Sequence, residues 1–108
     1  AIIMEQGIAI SACPAGMEAT NLIAAQAADE LVNIKGIQAS FVLADRGQVI
    51  YISGRSLGDI SVQLILEKLG GGGHQSIAGA QLKDVTMDEA ISRLTESINS
   101  YLKEAHEQ

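Results

Sequence analysis

The stretch QASFVLADRGQVIYIS, residues 38–53, decides how this chain folds. Over 38–44 the residues alternate. Ala39, Phe41 and Leu43 share one face of an extended chain, and Ser40, Val42 and Ala44 share the other. Asp45-Arg46-Gly47 has the composition of a tight turn, and 48–53 resumes an apolar run rich in β-branched residues. The pattern predicts a β-hairpin. Both faces are apolar, so the sheet is expected to be covered on both sides, at least at its centre.

Downstream, Gly54 to Gly58 breaks the pattern. Asp59 then stands where its carboxylate can cap a helix over 60–69. Ile60, Val62, Leu64, Ile65, Leu66 and Leu69 cover most of that helix's circumference, which predicts that it is largely buried. Four glycines, Gly70 to Gly73, follow, and then His74. One glycine there would be an ordinary helix stop. Four are costly to order, and they suggest backbone that must come close to something, with N–H groups pointing outward. Such nests bind anions, phosphate above all. A flexible connector is the competing reading. Residues 78–82 read as a short strand of small side chains. Thr86, with Glu89 three residues on, forms a capping box for a last helix whose apolar stripe is Ala90, Ile91, Leu94, Ile98, Tyr101 and Leu102.

Upstream, a helix is expected over 20–33. Ile23, Ala27 and Leu31 recur there at four-residue spacing, with Ala24 and Ala28 beside them, and Gly36 is read as the cap that stops it. The alanines suggest close packing against a sheet. Residues 2–5 and 8–12 read as two short strands turning at Gln6-Gly7, and 13–16 as a loop. The order is β, β, α, β, β, α, glycine loop, β, α. That is an α/β (α+β) single domain, a mixed sheet of roughly five strands flanked by about three helices.

At 108 residues the chain is long enough for one core and too short for two. Hydrophobic residues make up 47% and aromatics 3%, so aliphatic side chains must build that core. A net charge of −6 argues against a broad phosphate-tracking surface for nucleic acid, which needs basic clusters. A small anionic ligand held by a few local groups remains. Cys13 is a single cysteine, so no internal disulfide forms, which fits a reducing compartment. No cation neighbours it, and it reads as a structural thiol. No apolar run approaches a membrane span, and no signal peptide is visible. The chain opens mid-pattern at Ala1, without an initiator Met, and reads as a piece of something longer.

An inventory removes most catalytic arrangements. His106 lies on a polar tail and reads as solvated, and His74 has no ligand partner nearby in sequence, so metal binding by this segment is not expected. Ser76, His74 and Asp84 could be written as a triad, but nothing resembling a nucleophile elbow surrounds Ser76. No Gly-Lys-Ser or Gly-Lys-Thr follows the glycines, which excludes a P-loop. A binding constellation remains. Arg55 offers a planar fork to phosphate or carboxylate, Ser56 a hydroxyl, the glycines backbone donors, and His74 a donor or a stacking ring. Each has a plainer role: Arg55 as a surface cation paired with Asp59, His74 bonded to a loop carbonyl. Taken together they favour a ligand site.

At these residues the chain resembles a known family. Gly70-Gly71-Gly72-Gly73-His74, with Arg55-Ser56 before it and Ala78-Gly79 after it, looks like the DHH-associated domain of DHH-family phosphoesterases. The closer likeness is to the C-terminal domain of bacterial cyclic-di-AMP phosphodiesterases of the GdpP type. IAAQAADEL (23–31), IQASFVL (37–43) and SGRSLG (53–58) support it, and the likeness covers essentially the whole chain.

The resemblance implies a substrate-binding domain of a metal-dependent phosphodiesterase acting on cyclic-di-AMP or a short linear dinucleotide. The implied substrate-binding positions are Arg55, Ser56, Gly71, Gly72, Gly73 and His74. A separate N-terminal DHH domain would hold two metal ions, typically manganese, on Asp and His ligands that have no counterpart here. This segment is therefore expected to contribute no catalytic residue and no metal ligand, and to hydrolyse nothing alone. The implied partners are a dinucleotide or short oligonucleotide and the chain's own DHH domain. A homodimer is left open, and no membrane contact is implied for this segment. The implied location is the cytoplasm, as a free enzyme or as the cytoplasmic part of a membrane-anchored one. Within the family the alternative is a nanoRNase or RecJ-like exonuclease, and outside that class it is a non-catalytic nucleotide-binding or interaction domain. Gln75-Ser76-Ile77 stands before Ala78-Gly79 where many relatives have two small residues, which leaves the substrate open.

Overall fold

A computed structural model describes residues 2–3, 6–13 and 21–106. In chain order the elements are β1 (Ile2–Ile3), β2 (Ile8–Cys13), α1 (Asn21–Val32), β3 (Ala39–Asp45), β4 (Val49–Ser56), α2 (Val62–Glu67), β5 (Gly72–Gly73), β6 (Ile77–Lys83) and α3 (Met87–His106). They form one six-stranded mixed sheet, ordered β1-β2-β3-β4-β6-β5, with three helices. Among the described strands only β2 and β3 pair in parallel, and α1 lies in the crossover that a parallel pair requires. The sixth strand is the glycine pair Gly72–Gly73, expected as loop, which adds an edge to the five strands read from sequence.

The alternation over 38–44 sorts the protein into two cores. Ala39, Phe41 and Leu43 pack with Ile50, Ile52, Ile65, Leu66, Leu94 and Ile98 on the face covered by α2 and α3. Val42 and Ala44 pack with Ala24 and Ala28 of α1 on the other face. Ser40 lies fully buried on that second face, and its hydroxyl donates to the Ala28 carbonyl at 2.6 Å, so burial leaves no polar group unpaired. The β3–β4 turn is closed as expected: Gly47 takes a φ of +91° and its N–H donates to Asp45 Oδ1 at 2.8 Å. The Thr86 hydroxyl accepts from the Glu89 N–H at 3.1 Å and caps α3.

Four local expectations are corrected. Helix α1 ends at Val32, and Gly36 (φ +91°) instead carries a turn in which Ile37 N–H bonds the Ile34 carbonyl at 3.0 Å. Gly54 does not break β4, which runs on to Ser56. A Cβ on Gly54 would come within 3.0 Å of the Phe41 ring and 3.2 Å of Leu66, so glycine serves close packing there. Ser61, not Asp59, caps the second helix, accepting from Leu64 N–H, and that helix is shorter than 60–69. Leu64 is 51% exposed, so α2 buries only the face carrying Val62, Ile65 and Leu66. The expected loop at 13–16 lies outside the described residues except for Cys13, which closes β2, and residues 4–5 of the first strand lie outside them too.

The helices cover the sheet unevenly. Helix α1 lies over β2, β3 and β4. On that same face Ile77, Gln81 and Lys83 of β6 are exposed, while Ala78, Ala80 and Leu82 point into the opposite core. The β6–β5 part of the α1 face is therefore open.

Candidate functional site

The glycine run has two halves with different work. Gly70 (φ +86°) and Gly71 finish α2, with Gly70 N–H donating to the Glu67 carbonyl at 3.1 Å and Gly71 N–H to the Leu66 carbonyl at 2.8 Å. Gly72 and Gly73 then pair with β6 opposite Gly79 and Ala78. His74 and Ile77 exchange both backbone hydrogen bonds, at 2.7 and 3.3 Å, and close a hairpin whose two-residue turn is Gln75-Ser76. Gln75 ties this turn down. Its side-chain amide donates to the Gly58 carbonyl, and its own carbonyl accepts from Val62 N–H at 3.0 Å. The N–H groups of Gly70, Gly71 and His74 are thus given to the chain's own carbonyls, and the outward-facing nest expected from sequence is largely replaced by a strand.

Three of the four glycines are demanded by the fold. A Cβ on Gly71 would stand 2.2 Å from the Gly79 carbonyl oxygen and 2.6 Å from Ala80 Cβ. Gly73 sits at φ +143°, and its Cβ would meet the Ile77 carbonyl oxygen at 2.6 Å. Gly70 needs its positive φ. Gly72 differs: a Cβ there meets nothing within 4 Å, and its φ lies outside the left-handed region.

Arg55 and Ser56 stand at the end of β4, one on each face. Arg55 is opposite Ile77 in the β4–β6 register, and Ile77 is opposite His74, so the three form one row across the strands. Two strand spacings put Arg55 and His74 about 10 Å apart along that row. The Arg55 side chain is 14% exposed, with Nε on Asp29 Oδ1 of α1 and Nη1 on the Gly54 carbonyl, both at 2.8 Å. Its partner is Asp29 and not Asp59. Among the described residues no buried side-chain nitrogen or oxygen lacks a partner, so the unpaired Nη2 is open to solvent. His74 is exposed. Ser56 is 8% exposed, and its hydroxyl donates to the Gln75 carbonyl at 3.5 Å, which makes it a brace for the hairpin. The fold thus brings Arg55, Gly72 and His74 to one side of one edge and turns Ser56 inward.

Beside this row, on the open sheet face, lies a cavity of about 600 Å³ whose lining includes Tyr51, Ser53, Gly72, Gly79, Gln81 and Lys83. Sequence reading missed Tyr51, Ser53, Gln81 and Lys83. Their period-two spacing assigns 51, 53 and 55 to one face of β4, and 79, 81 and 83 to one face of β6. Only the register, with Tyr51 opposite Gln81 and Ser53 opposite Gly79, sets the two sets side by side.

Among the described residues no group of three or more His, Cys, Asp or Glu is placed to hold a metal ion. The titration shifted most clearly lies away from the site. Lys68 hydrogen-bonds Glu104 Oε1 at 2.8 Å and, with Ser100, holds that carboxyl below its ordinary range, joining α2 to α3. No described helix is long and apolar enough to cross a membrane.

Comparison with known proteins gives a consistent family. A model of the DHHA1 domain matches residues 5–104. The chain is 51% identical over 102 residues to the cyclic-di-AMP phosphodiesterase PdeA of Listeria monocytogenes, covering 94% of this chain and 16% of that protein. It is 47% identical over 104 residues to the cyclic-di-AMP phosphodiesterase GdpP of Geobacillus thermodenitrificans, covering 95% and 16%. Among solved structures, an exopolyphosphatase-related protein from Bacteroides fragilis superposes with a TM-score of 0.62 at 27% identity, over 68% of this chain and 22% of that one. The chain spans 16% of the length of each of the two phosphodiesterases it matches.

Proposed function

The chain belongs to the DHHA1 domain family, and from that premise we propose that it is the substrate-binding domain of a DHH-family phosphodiesterase that cleaves cyclic-di-AMP or a short linear dinucleotide. Two relatives that carry this domain are named for the first activity. In this reading bond cleavage and the two manganese ions belong to a separate DHH domain of a longer cytoplasmic protein. The present residues bind and orient.

Arg55 Nη2 meets a non-bridging phosphate oxygen as a charge-assisted donor. Asp29 and the Gly54 carbonyl fix its guanidinium beforehand, which lowers the entropy lost on binding. His74 donates from the other end of the row, to a second phosphate or a sugar. Bare backbone at Gly72 lets the substrate lie against the strand. Gln75 and Ser56 keep that strand from shifting, so the reacting phosphate is held in one position. With a net charge of −6 on the chain, the attraction for an anion must come from these few groups.

The observation that carries this reading is Gly72: it is glycine where neither φ nor packing requires glycine, on the edge that also bears Arg55 and His74. The test is steady-state cleavage of cyclic-di-AMP by the full-length protein with manganese. His74→Ala is expected to lower kcat/KM while the melting temperature stays put. Wild-type kcat/KM in that variant would sink the proposal.

A further inference from the structure

We propose that the cavity on the open sheet face is a nucleobase subsite that selects adenine, with Gln81 as the residue that reads the base. The inference rests on the phosphate row just described and extends it along the sheet. Arg55, Ser53 and Tyr51 point to one face of β4, Ile77, Gly79 and Gln81 to the same face of β6, and Gly72 adjoins Gly79 from β5. The rows are therefore stacked in order along the strands. Arg55 and His74 form the first, Ser53, Gly79 and Gly72 the second, and Tyr51 and Gln81 the third. Each step is two residues, about 7 Å. A nucleotide whose phosphate sits on the first row lays its base over the second and presents the base edge to the third.

The cavity suits such a guest. Its volume of about 600 Å³ lies within the range of small-molecule sites. Its floor is the paired Gly72 and Gly79, and neither is glycine for packing. A Cβ meets nothing within 4 Å at Gly72 and only an ordinary 3.4 Å contact with the Ile52 carbonyl at Gly79. Two adjacent strands thus offer bare backbone, on which a planar ring can lie flat. Tyr51 makes the wall. Its ring packs on the Ala24–Ala28 cluster, with the Arg46 guanidinium 5.4 Å from its centroid, so it is held in place before any ligand arrives. Gln81 is exposed, and its amide has no hydrogen-bond partner among the described residues.

The amide chemistry chooses the base. One carboxamide presents a donor and an acceptor in a plane, which match adenine N7 and N6–H₂ together. Guanine presents two acceptors, O6 and N7, on that edge, so the amide oxygen would face an acceptor and lose its bond.

The experiment measures equilibrium binding of the linear dinucleotides pApA and pGpG to the full-length protein, with manganese withheld to prevent turnover. The wild type is expected to favour pApA. Gln81→Ala should shrink that preference by about 5- to 150-fold, the range for one bidentate base contact. Gln81→Glu keeps the acceptor for adenine N6–H₂ but loses the donor to N7, so pApA should bind more weakly, while pGpG, whose O6 and N7 would both face a carboxylate, should gain nothing. Both variants sit at an exposed strand position, and an unchanged melting temperature verifies their fold. An unchanged ratio in Gln81→Ala overturns the inference, as does equal loss of both ligands. Failure of the phosphate reading shows itself differently, as His74→Ala binding both dinucleotides like the wild type.

Discussion

Adding one methyl group at each of three neighbouring glycines should separate folding from binding. At Gly71 the new Cβ would lie 2.2 Å from a carbonyl oxygen of β6 and 2.6 Å from Ala80 Cβ. Those atoms belong to a hydrogen-bonded strand and cannot swing aside, so β5 must detach. Overpacking of this kind costs about 3 kcal/mol, and roughly 4–8 °C of melting temperature accompanies each kcal/mol in a domain near this size. Gly71→Ala should therefore melt more than 10 °C lower, on the order of its steric cost. Gly73→Ala should also fall, because a φ of +143° is added to its 2.6 Å contact. Gly72→Ala meets nothing, and the loss of unfolded-state freedom should stabilise it by about 0.4–1 kcal/mol. Its melting temperature should hold or rise by a few degrees. That methyl nonetheless stands on the floor of the cavity, and a substrate lifted by about 1 Å should lose on the order of 10- to 100-fold in kcat/KM. The assays are thermal unfolding of the 108-residue chain by circular dichroism and cyclic-di-AMP cleavage by the full-length protein. The reasoning fails if Gly72→Ala melts alongside Gly71→Ala, or if it turns over substrate like the wild type.

Arg55→Lys keeps the charge but loses the fork and the Nε bond to Asp29, so substrate affinity in the full-length protein should drop by about 1–3 kcal/mol with little change in melting. Ser40→Ala deletes a buried hydrogen bond between β3 and α1, and denaturant titration should register a loss of about 1 kcal/mol with dinucleotide affinity intact. Leu94→Ala opens a cavity in the core under α3 and should lose about 2–5 kcal/mol by the same titration. Because Lys68 lowers the folded pKa of Glu104, this pair adds stability above the ordinary carboxylate pKa and loses it as pH falls through the folded value. The stability gap between wild type and Glu104→Gln should close on acidification, and a gap that widens instead would contradict that linkage.

Much of the fold was legible because period two and period four are written into a one-dimensional string. The alternation from Ala39 to Ala44 announced a strand buried on both sides, and both faces do find partners. The stripe from Ala90 to Leu102 announced α3 in the same way. Two of the readings that failed turned on a glycine that could mean two things. At Gly54 it means close approach to Phe41 rather than a break, and at Gly36 a turn beyond the helix rather than its cap. The start of α2 was misplaced because Asp59 and Ser61 can both cap, and Ser61, whose N–H donates to the Tyr101 hydroxyl while Val62 N–H donates to the Gln75 carbonyl, is the one that does.

The candidate site divides along the same line. Sequence alone determined that Arg55, four glycines and His74 occur in an order that resembles one family, because a motif is a matter of residue type and spacing. It also excluded a P-loop and a broad basic surface. It could not say that Ser56 points into the core, that Asp29 holds Arg55, or that three of the glycines are demanded by the fold and one is not. Nor could it set Tyr51 beside Gln81, which lie thirty positions apart. Those relations depend on strand register, and register is chosen by which faces the three helices bury. Helix α1 covers β2, β3 and β4, so the remaining part of that face is left open, and the cavity exists because of where a helix does not lie.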